Sequence, residues 1–262
     1  MEKDNKSSYE NMEVERYRSF IGIITYIIGF FIVGTIITMI VARSLASSYG
    51  YDFKDVIEAS TKISDDLNLR ECAAKLTCYS NLLIYAVVFC ALVIIMIISL
   101  KKDAIDFKSR LKRILVITAI SVVAFNLGSI LFDSIASKIA SESSTNQTVI
   151  EEVFNHKSLA FLMVFETVIL APVVEELVFR KAIFNVLKNK PSWIPILVSA
   201  IAFSIIHMSA TDLNWKWIVL YLPYLACGFM LAGIYKFSGE NVYVTIIVHM
   251  VNNLIACILI LL

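Results

Sequence analysis

The sequence predicts an all-α protein, a polytopic bundle of about seven transmembrane helices. Hydrophobic residues make up 58% of the chain and charged residues only 17%, whereas a soluble domain is close to half apolar and a quarter charged. The apolar residues also form runs of about 20 residues, the length that a helix needs to cross the hydrocarbon core. Both observations indicate an integral membrane protein.

The predicted spans alternate with loops whose charge indicates their side of the membrane. The spans cover residues 20–42, 79–100, 114–132, a segment that begins near 158, 193–210, 216–237 and 242–262. Basic residues concentrate at 101–113 and 180–190, so the positive-inside rule places these connections in the cytoplasm. The N-terminus is then cytoplasmic and the C-terminus is outside. The first apolar run is too long for a signal peptide, so we predict an uncleaved span.

The chain divides into three predicted parts. They are a cytoplasmic tail at 1–18, a three-span region at 19–157 with outer loops at 43–78 and 134–157, and a catalytic four-span core at 158–262. Within the first outer loop, the spacing of Phe53, Val56, Ile57 and Ile63 predicts a short amphipathic helix. A short outer turn containing Asp212 is expected between the fifth and sixth spans.

Cysteines do not follow a metal-binding pattern. Cys72 and Cys78 lie close together in the predicted outer loop, where they could pair if the loop faces an oxidising compartment. Two free thiols are the equal alternative. Cys90, Cys227 and Cys257 lie in apolar helices and are expected to pack as small hydrophobic residues.

The fourth span contains Glu175, Glu176 and Arg180 inside an otherwise apolar run. Ionisable groups at membrane depth are costly and usually face a polar cavity with a partner. Glu176 and Arg180 are four residues apart, which suits an ion pair on one helix face. Glu175 points about 100° away, so we assign it the reactive role. The alternative is that both glutamates mark an interfacial helix end.

Two later spans also contain polar side chains. His207 lies in the fifth span, and Thr245, His249 and Asn253 form one stripe on the seventh. Each needs a polar partner in an apolar setting. We expect them to share one hydrated pocket with Glu175, and the alternative is a set of separate packed pairs.

If both spans were ideal helices, Glu175 and His207 would lie at different depths in the membrane. Glu175 would lie about 25 Å along the fourth span, and His207 about 21 Å along the fifth from the opposite surface. The two side chains could then not meet. Either the fourth span lies deeper, with its core near 166–187, or Pro172 breaks it, and we expect a mixture of the two.

The predicted pocket holds the groups needed for amide hydrolysis. A carboxylate and an imidazole can deprotonate a water molecule, and a second imidazole with a carboxamide can stabilise an oxyanion. Glu175, His207 and His249 are also a catalytic zinc ligand set with an open position. The residues leave both chemistries open. A GxSxG motif is absent from the sequence, which disfavours serine catalysis.

Three motifs follow one another in successive helices: EExxxR at 175–180, FxxxH at 203–207 and HxxxN at 249–253. In this order they resemble the CPBP family of intramembrane proteases. The family includes CAAX prenyl endoproteases and bacterial proteins linked to bacteriocin processing or self-immunity. The resemblance covers about residues 158–262, and the first three spans contain no motif that matches.

The resemblance implies a role for each motif residue. Glu175 and His207 would activate water, while His249 and Asn253 would hold the oxyanion. The site would be supported by Glu176 and Arg180. Zinc or another divalent metal and a metal-free glutamate mechanism are both open for this family.

Glu166 has no role in the resemblance. On an ideal helix it faces away from Glu175, so we predict a structural or loop-facing position.

The leading function is an intramembrane endopeptidase acting on a membrane-tethered protein or a leader peptide. The alternative is a non-proteolytic regulatory or immunity partner of another membrane protein that retains the protease fold. Transport is disfavoured because no paired repeats with broken helices occur. A net charge of +1 argues against a nucleic-acid partner. Frequent Ile, Lys and Asn suggest a bacterial plasma membrane.

Overall fold

A computed structural model describes residues 2–62, 64–140, 145–208 and 215–262. In these ranges the chain forms nine continuous helices and no strand. They are α1 (Glu2–Ile28, the π-helical turn Gly29–Val33 and Gly34–Tyr49), α2 (Phe53–Ala59), α3 (Leu67–Ser109), α4 (Leu111–Ala140), α5 (Thr145–Asn155), α6 (Lys157–Val186), α7 (Trp193–Ile206), α8 (Trp215–Phe237) and α9 (Val242–Leu261). The predicted all-α class is confirmed.

Helices α1, α3, α4, α6, α8 and α9 are long and apolar enough to cross a membrane, and α7 is a shorter apolar helix of 14 residues. Each of the seven predicted spans therefore corresponds to one apolar helix. The chain is a polytopic helical membrane bundle. Its orientation in the membrane stays a prediction from the basic clusters.

The predicted outer loops are largely helical. Helix α3 already begins at Leu67 because the carboxylate of Asp66 caps it, accepting from the backbone N–H groups of Asn68 and Leu69 at 2.9 and 3.2 Å. With 43 residues, α3 is about 65 Å long, so it extends far beyond an apolar layer of about 30 Å. The loop limits of 43–78 were wrong because hydropathy marks only the part of a helix that lies in lipid. For the same reason the predicted loop at 134–157 contains the end of α4 and all of α5.

The short amphipathic helix is confirmed as α2. Asp52 caps it by accepting from the N–H of Lys54 at 2.8 Å, and Val56 is fully buried. Phe53 and Ile57 pack around the same cluster. Ile63 and the predicted outer turn with Asp212 lie outside the described residues.

The possible Cys72–Cys78 disulfide is not formed, and both thiols are free. Both residues lie in α3, where Cys72 packs in the cluster with Val56 and Cys78 packs in a different cluster with Leu159 and Met163. Two side chains six residues apart on one helix point in different directions, so they cannot be bridged.

Connections predicted to share a side of the membrane meet in the structure. At the predicted inner end, Lys181 contacts Asp103, and Asn241 donates to the Asp103 backbone carbonyl. At the predicted outer end, Arg70 donates to both carboxylate oxygens of Glu152 at 2.9 and 2.8 Å. This pairing lowers the pKa of the Glu152 carboxyl.

The central core surrounds the charged motif of α6. Leu177 and Val174 are fully buried in it, together with Leu92 of α3 and Ala232 of α8. Glu175, Glu176 and Arg180 are therefore enclosed by packed helices rather than facing lipid.

Candidate active site

Helix α6 continues through Pro172. It contains two π-helical segments, Glu166–Leu170 and Glu176–Ala182, one on each side of the proline. A proline lacks the N–H that an α-helix needs in its interior, and a π-helical turn changes the hydrogen-bonding partners next to it. The predicted break at Pro172 is therefore wrong.

The depth conflict is resolved by the lengths of α6 and α7. Because α6 has 30 residues, from Lys157 to Val186, Glu175 lies close to its middle. Helix α7 has 14 residues and is about 21 Å long, so its end at Ile206 falls short of a full crossing. His207 follows directly and lies within electrostatic reach of Glu175.

His249 joins the two glutamates. Its Nδ1 lies 2.9 Å from Glu176 Oε1, and its Nε2 lies 3.9 Å from Glu175 Oε2. An ionised carboxylate only accepts hydrogen bonds, so Nδ1 is the donor to Glu176 and Nε2 is the nitrogen directed at Glu175. All three side chains are buried. The sequence motifs on α6 and α9 are thus in direct contact.

Arg180 pairs with Glu176 as its spacing predicts. Its Nη1 lies 3.1 Å from Glu176 Oε1, and both side chains are fully buried. The guanidinium also lies over the ring of Phe203, 4.6 Å from its centroid. Among the described residues, however, its nitrogens find no acceptor with hydrogen-bond geometry. The pair is electrostatic and incompletely hydrogen-bonded.

His207 is held on three sides at the end of α7. Its Nδ1 lies 2.9 Å from the backbone carbonyl of Phe203, so Nδ1 is the donor and Nε2 is left for the site. Its ring is 4.7 Å from the Phe203 ring and stacks on Tyr224 at 4.8 Å. The Phe203 ring also lies 5.9 Å from the ring of His249. One aromatic side chain therefore lies between the two histidines.

Gly228 allows α8 to approach α7 closely enough for this stacking. A Cβ added at Gly228 would lie 2.8 Å from the carbonyl oxygen of Ala200, a separation that real side chains do not tolerate. Tyr224 lies one turn before Gly228 on α8, so the close crossing brings its ring to His207. The sequence motifs contain no signal for this contact.

Asn253 anchors α9 to the other π-helical segment of α6. Its Nδ2 donates to the backbone carbonyl of Thr167 at 2.9 Å, and its Oδ1 accepts from Asn252 at 3.3 Å. One N–H of the carboxamide is left over from these contacts.

Two further polar residues near the site differ from the sequence prediction. Tyr85 of α3 donates from its hydroxyl to Glu175 Oε1 at 3.0 Å, although its span has no motif. Glu166 is 5% exposed, so the loop-facing alternative is wrong, while the structural alternative stays a prediction. Its carboxyl lies within electrostatic reach of Glu175 and Tyr85. The π-helical turns change the rotation between Glu166 and Glu175, which an ideal helical wheel could not predict.

The predicted metal ligands do not form a ligand set as they stand. Among the described residues, no three His, Cys, Asp or Glu side chains converge closely enough to hold a metal ion. The Nδ1 atoms of His249 and His207 are engaged by Glu176 and by the Phe203 carbonyl, the outer contacts that metal-bound histidines usually make, and their Nε2 atoms are left. A metal held by Glu175, His207 and His249 therefore stays a prediction.

Comparison with known proteins identifies the region that carries the site. Residues 157–255 match the family model described as type II CAAX prenyl endopeptidase Rce1-like. This range contains all three motifs. A relative in Bacillus subtilis, named "Putative membrane peptidase YdiL", is 29% identical over 116 residues.

The part of the chain that contains the three motifs is therefore similar to CAAX-prenyl-endopeptidase-like membrane proteases.

Other matches cover different lengths of the chain. A protein of Mycoplasma capricolum subsp. capricolum, named "Uncharacterized protein", is 31% identical over 162 residues, which are 59% of this chain and 46% of the relative. The match with YdiL covers 44% of this chain and 42% of YdiL. The chain thus spans less than half the length of both relatives. Residues 40–157 also match a model described as Ca2+ regulator and membrane fusion protein Fig1. No solved structure matches the chain significantly.

The apolar helices make the chain an integral membrane protein, and its similarity to membrane proteases agrees with this. Its bacterial relatives fit a bacterial plasma membrane.

Proposed function

We propose that the chain is an intramembrane endopeptidase that hydrolyses a peptide bond with Glu175 as its general base. The observation that carries the proposal is the contact of both glutamates with one histidine, at 2.9 and 3.9 Å, in a core that excludes lipid. A buried cluster of two carboxylates, an imidazole and a guanidinium is costly for a membrane protein to maintain. Catalysis gives a reason for that cost.

The first step is attack by water on the peptide carbonyl carbon. Glu175 takes one water proton as the carbon–oxygen bond forms, and His207 orients the water through Nε2, which its bond to Phe203 leaves available. The carbonyl oxygen becomes an oxyanion. Proton transfer to a well-placed carboxylate contributes about 10²–10⁴-fold to the rate.

The oxyanion is stabilised from α9. His249 in its protonated form donates from Nδ1 to Glu176 and presents Nε2–H to the oxyanion, and the remaining N–H of Asn253 is the second donor. Arg180 balances the charge of Glu176 at Oε1, the oxygen that His249 also contacts. When the carbon–nitrogen bond breaks, Glu175 returns its proton to the leaving amine. The products are a carboxylate and an amine.

The substrate class that suits this site is an extended peptide segment in or next to the bilayer. Helix α7 is too short to cross the membrane fully, and His207 lies at its end. A segment arriving beside the end of α7 would meet His207 before the other site residues. A leader peptide and a membrane-tethered protein both supply such a segment.

The test uses the purified full-length chain in detergent or liposomes with a library of membrane-associated peptides. We expect cleavage products detectable by mass spectrometry with the wild type and their loss with Glu175→Gln. Glu58→Gln, at an exposed position on α2, is the matched control and should cleave normally.

Equal cleavage by Glu175→Gln would overturn the proposed base. Failure of the wild type to cleave any peptide would favour a non-proteolytic membrane partner. Repeating the assay with a chelator determines whether a divalent metal is required.

A further inference from the structure

Tyr85 lies outside the region that matches the Rce1-like family, yet it contacts the proposed base. The span in its helix, α3, contains no motif that matches the family. The hydroxyl of Tyr85 donates to Glu175 Oε1 at 3.0 Å. The contact joins residues that are 90 positions apart, so only the packing of α3 against α6 creates it.

The two carboxylate oxygens of Glu175 have different surroundings. Oε1 accepts from Tyr85, and Oε2 is the oxygen 3.9 Å from His249 Nε2. A carboxylate whose first oxygen is held in this way cannot rotate freely about its terminal torsion. The second oxygen is then kept on the side of the histidines.

Tyr85 is itself held in place by aromatic contacts with α1. Its ring meets the ring of Phe30 edge-on, with centroids 4.9 Å apart. Phe30 contacts Tyr26 at 4.6 Å, and Tyr26 contacts Phe179 of α6 at 5.5 Å. These rings connect α1 and α3 to the helix that carries Glu175, so the direction of the Tyr85 hydroxyl is set by three helices.

A glycine makes this arrangement possible. Gly29 precedes Phe30 in the π-helical turn of α1, and a Cβ added there would lie 2.5 Å from Val88 Cγ2. Val88 is one turn after Tyr85 on α3. The close crossing of α1 and α3 therefore places Phe30 against Tyr85.

We propose that Tyr85 is a positioning residue of the proteolytic site, holding Glu175 Oε1 so that Oε2 takes the proton from water. This inference depends on the proposed function. It makes the first and second spans part of the catalytic apparatus rather than a membrane anchor for it.

The test compares Tyr85→Phe with the wild type for the full chain, using the peptide found in the cleavage assay. A hydrogen bond to a charged group that acts in the transition state corresponds to about a 10–150-fold effect. We expect kcat to fall by this factor while KM stays within about twofold. This is the pattern of an interaction that is made only in the transition state. Tyr85→Phe keeps the ring and its contact with Phe30, so its fall in Tm should come only from the lost hydrogen bond to Glu175. Tyr85→Leu should also lower kcat and should reduce Tm further.

Tyr235→Phe is the matched control, because the Tyr235 hydroxyl is buried without a hydrogen-bond partner among the described residues. Its kcat should equal that of the wild type. A Tyr85→Phe variant with a wild-type kcat would overturn the positioning role, leaving Tyr85 as a packing residue.

A double-mutant cycle on thermal stability separates this inference from the proposed function. Tyr85→Phe and Glu175→Ala should give non-additive shifts in Tm, since each removes one partner of the same contact. Additive shifts would contradict the contact whether or not the protein cleaves peptides. Non-additive Tm shifts in a protein that cleaves no peptide would confirm the contact between Tyr85 and Glu175. They would overturn both the positioning role in catalysis and the proposed function.

Discussion

Arg180 and Lys181 are neighbours in one π-helical segment, yet they enter two buried clusters of different character. Lys181 contacts both carboxylate oxygens of Asp103 at 2.6 and 2.8 Å. Asp103 also accepts from the backbone N–H of Val242 at 3.1 Å, which ties it to the start of α9. The charges of this inner cluster are fully paired.

The cluster around Arg180 is paired much less completely. Its ion pair with Glu176 measures 3.1 Å, but within the described ranges its nitrogens and Glu176 Oε2 find no partner with hydrogen-bond geometry. Buried polar groups are normally satisfied, and an exception requires an explanation. Here the exceptions lie next to the proposed base.

This difference in hydrogen bonding indicates that Arg180 and Lys181 have separate roles. A cluster with all its groups paired contributes rigidity and has nothing left to offer a substrate. A cluster with open donors and acceptors can bind water or a reacting group. Variants of the inner cluster should therefore change stability, and variants of the site cluster should change activity.

The largest expected effect is on activity. His249→Gln removes the imidazole that joins Glu175 and Glu176, and the loss of one oxyanion donor costs about 10²–10³-fold in kcat. Peptide cleavage followed by mass spectrometry measures the change. His156→Gln is the matched control, because His156 lies at the start of α6 near Glu152. Wild-type cleavage by His249→Gln would remove His249 from the mechanism.

Breaking the inner cluster should affect stability instead. Lys181→Met leaves the Asp103 carboxylate buried without its cation, and such a loss costs about 3–5 kcal/mol. Thermal unfolding in detergent should show a lower Tm, while kcat of the folded fraction stays close to the wild-type value.

The double variant Lys181→Met/Asp103→Leu should recover much of this stability, since it removes both charges. A large fall in kcat for the folded Lys181→Met protein would contradict the separation of the two clusters.

A smaller effect is expected at the edge of the site. Tyr224→Leu removes the ring that stacks on His207, a contact worth about 0.5–1.5 kcal/mol. We expect kcat to fall about 3–10-fold. Tyr224→Phe keeps the stacked ring and should retain most activity. Equal losses in both variants would assign the effect to the hydroxyl of Tyr224 rather than to its ring.

The smallest effect is expected for Tyr235→Phe. Removing a buried hydroxyl that lacks a partner in the described part of the chain relieves a desolvation penalty. Stability should stay within about 1 kcal/mol of the wild type, on the stabilising side. Tyr243→Phe is the comparison, because the Tyr243 hydroxyl donates to the Leu100 carbonyl at 3.3 Å and its removal should destabilise. A destabilising Tyr235→Phe together with a Tyr243→Phe that leaves stability unchanged would contradict this interpretation.

Much of the membrane architecture could be predicted from local pattern. The seven apolar runs indicated the seven apolar helices, and the spacing of Glu176 and Arg180 indicated their ion pair. These features depend on a few consecutive residues, since burial in lipid and the rise of a helix act locally. The ends of α1 and α3 were not predicted, because a helix that continues into water has no hydropathy signal.

Other parts of the site depend on contacts between distant helices. The π-helical turns in α6 change the direction of Glu166, and no helical wheel contains them. Tyr85 meets Glu175 only because α1, α3 and α6 pack through Gly29 and a set of aromatic rings.

The sequence alone determined the fold class and the order of the three motifs, since both follow from hydropathy and residue spacing, and the family was indicated only by the resemblance of those motifs. Only the tertiary structure decided that His249 bridges both glutamates, that Asn253 is tied to Thr167, and that Tyr85 reaches Glu175. The physical reason is that these contacts depend on where helices cross and how they are rotated. Crossing and rotation result from packing over the whole bundle.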